Sequence, residues 1–87
     1  MVRLPLTPEQ LEAGRRLGAR IRIARADRDL AEVARTAGIS PETLRKIETG
    51  RLPSPSFGTV VSLSRALDLP LDDLAQIWTT DKLAESA

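Results

Sequence analysis

An all-α domain of five helices is what this sequence predicts, and three observations lead there. Apolar residues recur every three or four positions along most of the chain. Hydroxyl or acidic residues followed by proline or by Glu/Gln mark the helix starts. No segment alternates with period two, so the adjacent valines Val60 and Val61 belong to a helix rather than a strand. The 87 residues hold one domain with one core.

The first helix begins at Pro8. Thr7-Pro8-Glu9-Gln10 is a capping box, in which the Thr7 hydroxyl accepts from the Gln10 backbone and the Gln10 side chain reaches back. Leu11, Gly14, Leu17, Ile21 and Ala24 then form one apolar stripe, with Arg15, Arg16, Arg20, Arg22 and Arg28 on the remaining surface, and the helix is expected over 8–27. Ile23 lies off the stripe and reads as a scattered surface apolar residue.

Asp29 caps a second helix over 30–37, whose face is Leu30, Val33, Ala34 and Ala37 and which stops at Gly38. Ser40 restarts a third over 41–49, with Pro41 at its first position, Leu44 and Ile47 inward and Gly50 at its exit. Arg51 to Ser56, with two prolines and two serines, is a loop. A fourth helix over 57–67 presents Phe57, Val60, Val61, Ser64 and Leu67, and a fifth over 71–78 presents Leu71, Leu74, Ile77 and Trp78. Residues 1–78 form the domain, and 79–87 are expected to be a flexible tail.

Composition narrows the function. The chain has no cysteine, histidine or tyrosine, which removes disulfides, the common zinc ligands and thiol nucleophiles. Its carboxylates sit as caps and solvated charges, so neither a catalytic residue, a metal site nor a cofactor is expected, and the chain does not read as an enzyme. No apolar run reaches the ~18–20 residues that span a bilayer, and no signal peptide opens the chain, so the expected location is cytoplasmic, without a membrane partner. Residues 1–52 carry eleven Lys/Arg and seven Asp/Glu, whereas 53–87 carry two and five. That polarity suits a protein whose basic half faces a polyanion.

The two short helices around Ala37-Gly38-Ile39-Ser40 meet the requirements of a helix-turn-helix: small Ala34 for close approach, Gly38 for the turn, and Ile39, Leu44 and Ile47 to lock the pair. A major groove about 12 Å wide accepts one helix, N-terminus first. The side chains then available to base edges are Pro41, Glu42, Thr43, Arg45 and Lys46, preceded by the cap Ser40.

The segment Glu32-Val33-Ala34-Arg35-Thr36-Ala37-Gly38-Ile39-Ser40, with Leu44-Arg45-Lys46-Ile47-Glu48-Thr49-Gly50-Arg51, resembles the XRE family, the Cro and phage-repressor type of helix-turn-helix regulators. The likeness runs from Leu17 to Leu74 and includes Leu17-Gly18-Ala19-Arg20-Ile21-Arg22 and Ala66-Leu67-Asp68-Leu69-Pro70-Leu71-Asp72-Asp73-Leu74. It implies a lambda-repressor-like five-helix fold that binds double-stranded DNA as a transcription regulator in a bacterial or phage setting, nucleoid-associated. It also implies that Glu42 and Lys46 read bases, that Thr43 and Arg45 read bases or phosphates, that Thr49 and Arg51 grip the backbone, and that Arg25 pairs with Glu48 as a scaffold.

The chain departs from that family pattern before Glu32, where it is shorter and lacks the usual Ser-Gln pair. Asp29 caps the helix there instead, and phosphate anchoring shifts to Arg28 or to the loop. A single such domain makes few base contacts, so a homodimer on a palindrome is expected, with half-sites about 34–36 Å apart. Leu74, Ile77 and Trp78 are the expected dimer surface, Trp78 serving there or in the core. The rival reading is a protein-interaction module, an antitoxin or adaptor, which holds a protein partner and binds DNA weakly without sequence preference.

Overall fold

The computed structural model of the chain describes residues 5–86, with side chains through Thr79. Its elements are α1 (Pro8–Arg25), α2 (Leu30–Ala37), α3 (Pro41–Glu48), α4 (Phe57–Ala66) and α5 (Leu71–Ser86), and no strand occurs among the described residues. Helix α1 packs against α3 and α5, while α2 packs against α3 and α4.

Each start has a chemical cause. The Gln10 N–H donates to Thr7 Oγ1 at 3.1 Å and the Thr7 N–H to Gln10 Oε1 at 2.8 Å, which completes the capping box. Asp29, Ser40 and Ser56 cap α2, α3 and α4 by accepting from the backbone N–H of Glu32, Thr43 and Thr59.

The stops are equally local. Helix α1 ends at Arg25, two residues before the expected position, because Ala26 turns to φ 53° and ψ −125° and its N–H folds back onto Arg22 O and Ile23 O. Gly38 ends α2 at φ 74°, a left-handed conformation open to glycine, and the Ile39 N–H returns to Ala34 O at 3.0 Å. Helix α4 ends in a clasp: the Leu69 N–H donates to Ser64 O at 2.8 Å and Ser64 Oγ donates to Leu69 O at 2.5 Å. The fifth helix continues to Ser86 rather than stopping near Trp78, since the chain has no Gly or Pro after Pro70. The expected tail is therefore helical through residue 86, while Ala87 lies outside the described residues.

Leu17, Ile21, Val33, Ala34, Leu44, Ile47, Leu63, Leu67, Leu69 and Leu74 make the core. Three sequence expectations change here. Leu11 is exposed, because the buried face of α1 is Ala13, Gly14, Leu17, Gly18 and Ile21 and, at about 100° per residue, Leu11 falls roughly 90° from its centre. Phe57, assigned to the inward face of α4, is 75% exposed; Leu63 is the fully buried residue of that helix. Leu74, expected at a dimer surface, is 3% exposed and belongs to the core.

Candidate nucleic-acid interface

The eight residues of α3 divide into two faces. Leu44, Ile47 and Glu48 are buried; Pro41, Glu42 and Arg45 are exposed; Thr43 and Lys46 are half-buried. Helical geometry thus puts the apolar side chains into the core and leaves Glu42, Arg45 and Lys46 with polar ends toward solvent. The cap Ser40, the C-terminal Thr49 and Arg51 beyond it are exposed as well.

Two contacts with α1 fix how α3 projects. Arg25 Nε donates to Glu48 Oε2 at 2.7 Å and Arg25 Nη2 to Glu48 Oε1 at 2.9 Å, a bidentate pair across the two helices. The hydrogen bond to Glu48 holds the Arg25 guanidinium above its ordinary pKa, against a smaller lowering by burial, and the charges of Glu48 and Asp29 add to the rise. The remaining Arg25 Nη1 donates to Arg28 O at 2.8 Å, so one side chain fastens both α3 and the turn before α2. The scaffold pairing expected for Arg25 and Glu48 is present in this geometry.

The second contact is steric. A Cβ on Gly18 would overlap the Ile47 carbonyl oxygen, so α1 and the last turn of α3 approach at backbone distance. Sequence reasoning assigned Gly18 no role; the available signal was the pair Gly14 and Gly18, one turn apart on an otherwise apolar face.

The polar side chains of α3 are partly occupied. Lys46 Nζ lies 4.0 Å from Glu42 Oε1, a solvent-facing i,i+4 pair. The hydroxyls of Ser40 and Thr43 share a hydrogen bond of 2.8 Å, and Ser40 also caps the helix, so Thr43 is oriented toward the N-terminus. Thr49 Oγ1 donates to Arg45 O at 2.9 Å. A phosphate oxygen accepts only, so Thr49 would have to redirect that hydrogen to grip one. Arg45 and Arg51 hold no ion pair among the described residues.

Arg28 stands apart from this surface. Its Nη1 donates to Ala66 O at 3.2 Å, the C-terminal end of α4, where a cation also meets the negative end of the helix dipole. The structure therefore joins Arg28 to α4 rather than bringing it to α3.

A groove of about 370 Å³ opens on another part of the molecule, with Leu17 at its base and Pro55, Phe57, Leu71 and Trp78 along its walls. Ile77 and Trp78 are half-buried, and Ile77 O accepts from Arg16 Nε at 3.2 Å. No group of His, Cys, Asp and Glu among the described residues could hold a metal ion, and no helix there is long and apolar enough to cross a membrane.

A search of curated proteins finds no match to this chain. A family model described as a helix-turn-helix domain matches residues 16–77, from the middle of α1 through most of the described α5 side chains. With α2, the turn at Gly38 and α3 arranged as above, the chain belongs to the helix-turn-helix domain family, whose fold points to DNA binding.

Proposed function

We propose that this domain reads duplex DNA sequence-specifically in the major groove, as an XRE-type transcription regulator, with α3 as recognition helix. The observation that carries the reading is the division of α3: its apolar half and Glu48 are locked to α1, while Glu42, Arg45 and Lys46 project from a helix of fixed orientation. Preorganised projection is what base readout requires, because the donors and acceptors of the groove edge are themselves fixed. Ser40, Pro41 and Thr43 lie at the end that enters first, and Arg51 follows the helix where backbone phosphate would pass.

Regulators of this size gain specificity by pairing, and the proposal includes a homodimer on a palindrome. Trp78 and the exposed Phe57, which line the groove, supply its apolar surface together with the half-buried Ile77 of α5; the buried Leu74 does not. The same groove is what favours the second reading, a module that holds another protein and binds DNA weakly.

Selection of bound duplexes from a random pool, at two salt concentrations and beside a Glu42→Ala/Lys46→Ala variant, separates these. An enriched palindrome that the variant loses supports the dimeric reader. Salt-sensitive binding without enrichment, unchanged in the variant, rejects it in favour of the protein-interaction module.

A further inference from the structure

We infer that Glu42 and Lys46 act together, as an intact ion pair, to read one C·G base pair in a fixed orientation; the inference rests on α3 entering the major groove. Two observations carry it. The Lys46 ammonium and the Glu42 carboxylate lie 4.0 Å apart, and both side chains face solvent, 42% and 76% exposed. The helix thus presents a negative and a positive end side by side, rather than two independent charges.

The floor of the groove matches that pattern most fully in one base pair. At a C·G pair the cytosine N4 amino group is a donor, and guanine O6 and N7 beside it are both acceptors. The edge is positive at the cytosine and negative across the guanine. Cytosine N4 and guanine O6 are partners in the base pair and sit about 2.9 Å apart, so side-chain ends 4.0 Å apart span the two of them. The carboxylate of Glu42 accepts from N4 while the ammonium of Lys46 donates to O6 and N7.

An A·T pair, with adenine in the place of cytosine, also sets a donor beside an acceptor but fits worse. Its only donor, adenine N6, is flanked by acceptors on both sides, thymine O4 and adenine N7, which repel a carboxylate. The thymine methyl group also crowds the position that the ammonium would need. Inverting the pair to G·C sets carboxylate against O6 and ammonium against N4, like against like.

Keeping the ion pair intact has an energetic consequence. A solvated surface pair contributes little by itself, so entering the groove costs little reorganisation if the pair is retained. A lone glutamate would instead bring uncompensated negative charge toward phosphate. Lys46 supplies the compensation, and orientation supplies the specificity.

The test uses the full chain and selection from random duplexes, with wild type, Glu42→Ala, Lys46→Met and the exchange Glu42→Lys/Lys46→Glu, each checked by circular dichroism. The expected wild-type motif contains an invariant C·G pair, which Glu42→Ala relaxes by about fivefold or more in relative affinity while the other positions persist. The exchange variant is expected to prefer G·C at that position. A wild-type motif whose positions are all unchanged in folded Glu42→Ala overturns the inference but leaves sequence-specific binding standing. A motif that Glu42→Ala relaxes at an A·T pair also overturns it. Absence of any enriched sequence overturns both.

Discussion

The Arg25 guanidinium and the Glu48 carboxylate meet in a two-pronged ion pair in which the acid is the more deeply placed member, 3% exposed against 16% for the base. The asymmetry predicts which half is harder to lose. Arg25→Ala leaves a buried carboxylate without its donor, and a cost of about 3–5 kcal/mol is expected. Glu48→Ala leaves a guanidinium that can turn toward water, so it should cost less. Urea denaturation of both variants checks the order; equal losses would reject the asymmetry, and no loss in either would show that the bridge does not hold α3.

The raised pKa of Arg25 fixes the pH behaviour of its share. A cation whose folded pKa is raised stabilises fully below its unfolded pKa and loses that contribution only as pH rises through the folded value. For Arg25 that window lies above the ordinary guanidinium range. Its contribution should therefore not vary between neutral and moderately alkaline pH, and the difference in unfolding free energy between wild type and Arg25→Met, measured at pH 7 and pH 10, should stay constant.

Gly18 and Gly58 predict opposite responses to the same substitution. A Cβ at Gly18 meets the Ile47 carbonyl oxygen, and backbone cannot swing aside as a side chain does, so Gly18→Ala should push α3 off α1 and cost on the order of 1–3 kcal/mol. At Gly58, inside α4, a Cβ meets nothing within 4 Å. There alanine should stabilise by about 0.5–1 kcal/mol through helix propensity. Paired thermal melts decide the matter, since a contact-free account predicts stabilisation at both.

Ala26 holds φ 53° and ψ −125°, a conformation that costs an L-residue of order 1 kcal/mol or more. The turn keeps it because Arg25 Nη1 and the Arg28 N–H bonds on either side close it: the former reaches Arg28 O at 2.8 Å and the latter Arg25 O at 3.0 Å. Ala26→Gly should therefore raise stability by about 0.5–1 kcal/mol, although glycine usually weakens a chain. A lower unfolding midpoint would mean that the turn is not strained.

What could be read from the sequence follows from where each signal resides. Caps are local chemistry, so Thr7, Asp29 and Ser40 locate helix starts within a residue, and Gly38 locates the turn, whereas the cap role of Ser56 emerges only from the structure. The inward and outward faces of α3 follow from one short, strongly periodic segment. Facing across the molecule is less legible. Phe57 has the right spacing to join Val60 and Ser64, yet it is 75% exposed at the wall of the groove; only tertiary packing reveals that. Leu74 has the spacing of surplus apolar surface on α5, yet the packing of α5 against α1 buries it. Ala26 was invisible for the opposite reason: alanine carries no signal for a left-handed stop.

The arginines outside the Glu42–Lys46 pair separate affinity from specificity. Arg45 and Arg51 are exposed and hold no ion pair among the described residues, whereas Arg28 is engaged by Ala66 O. A free cation that neutralises a phosphate releases a counterion, so each of Arg45→Ala and Arg51→Ala should reduce the slope of log affinity against log salt by about 1 if that residue touches phosphate. Arg28→Ala should leave that slope unchanged and instead lower stability, because its guanidinium closes the end of α4. Titrations of one duplex at several salt concentrations measure the slopes directly. A slope that falls for Arg28→Ala but not for Arg51→Ala would move phosphate contact from the loop after α3 to the turn before α2, and with it the side from which the domain meets the backbone.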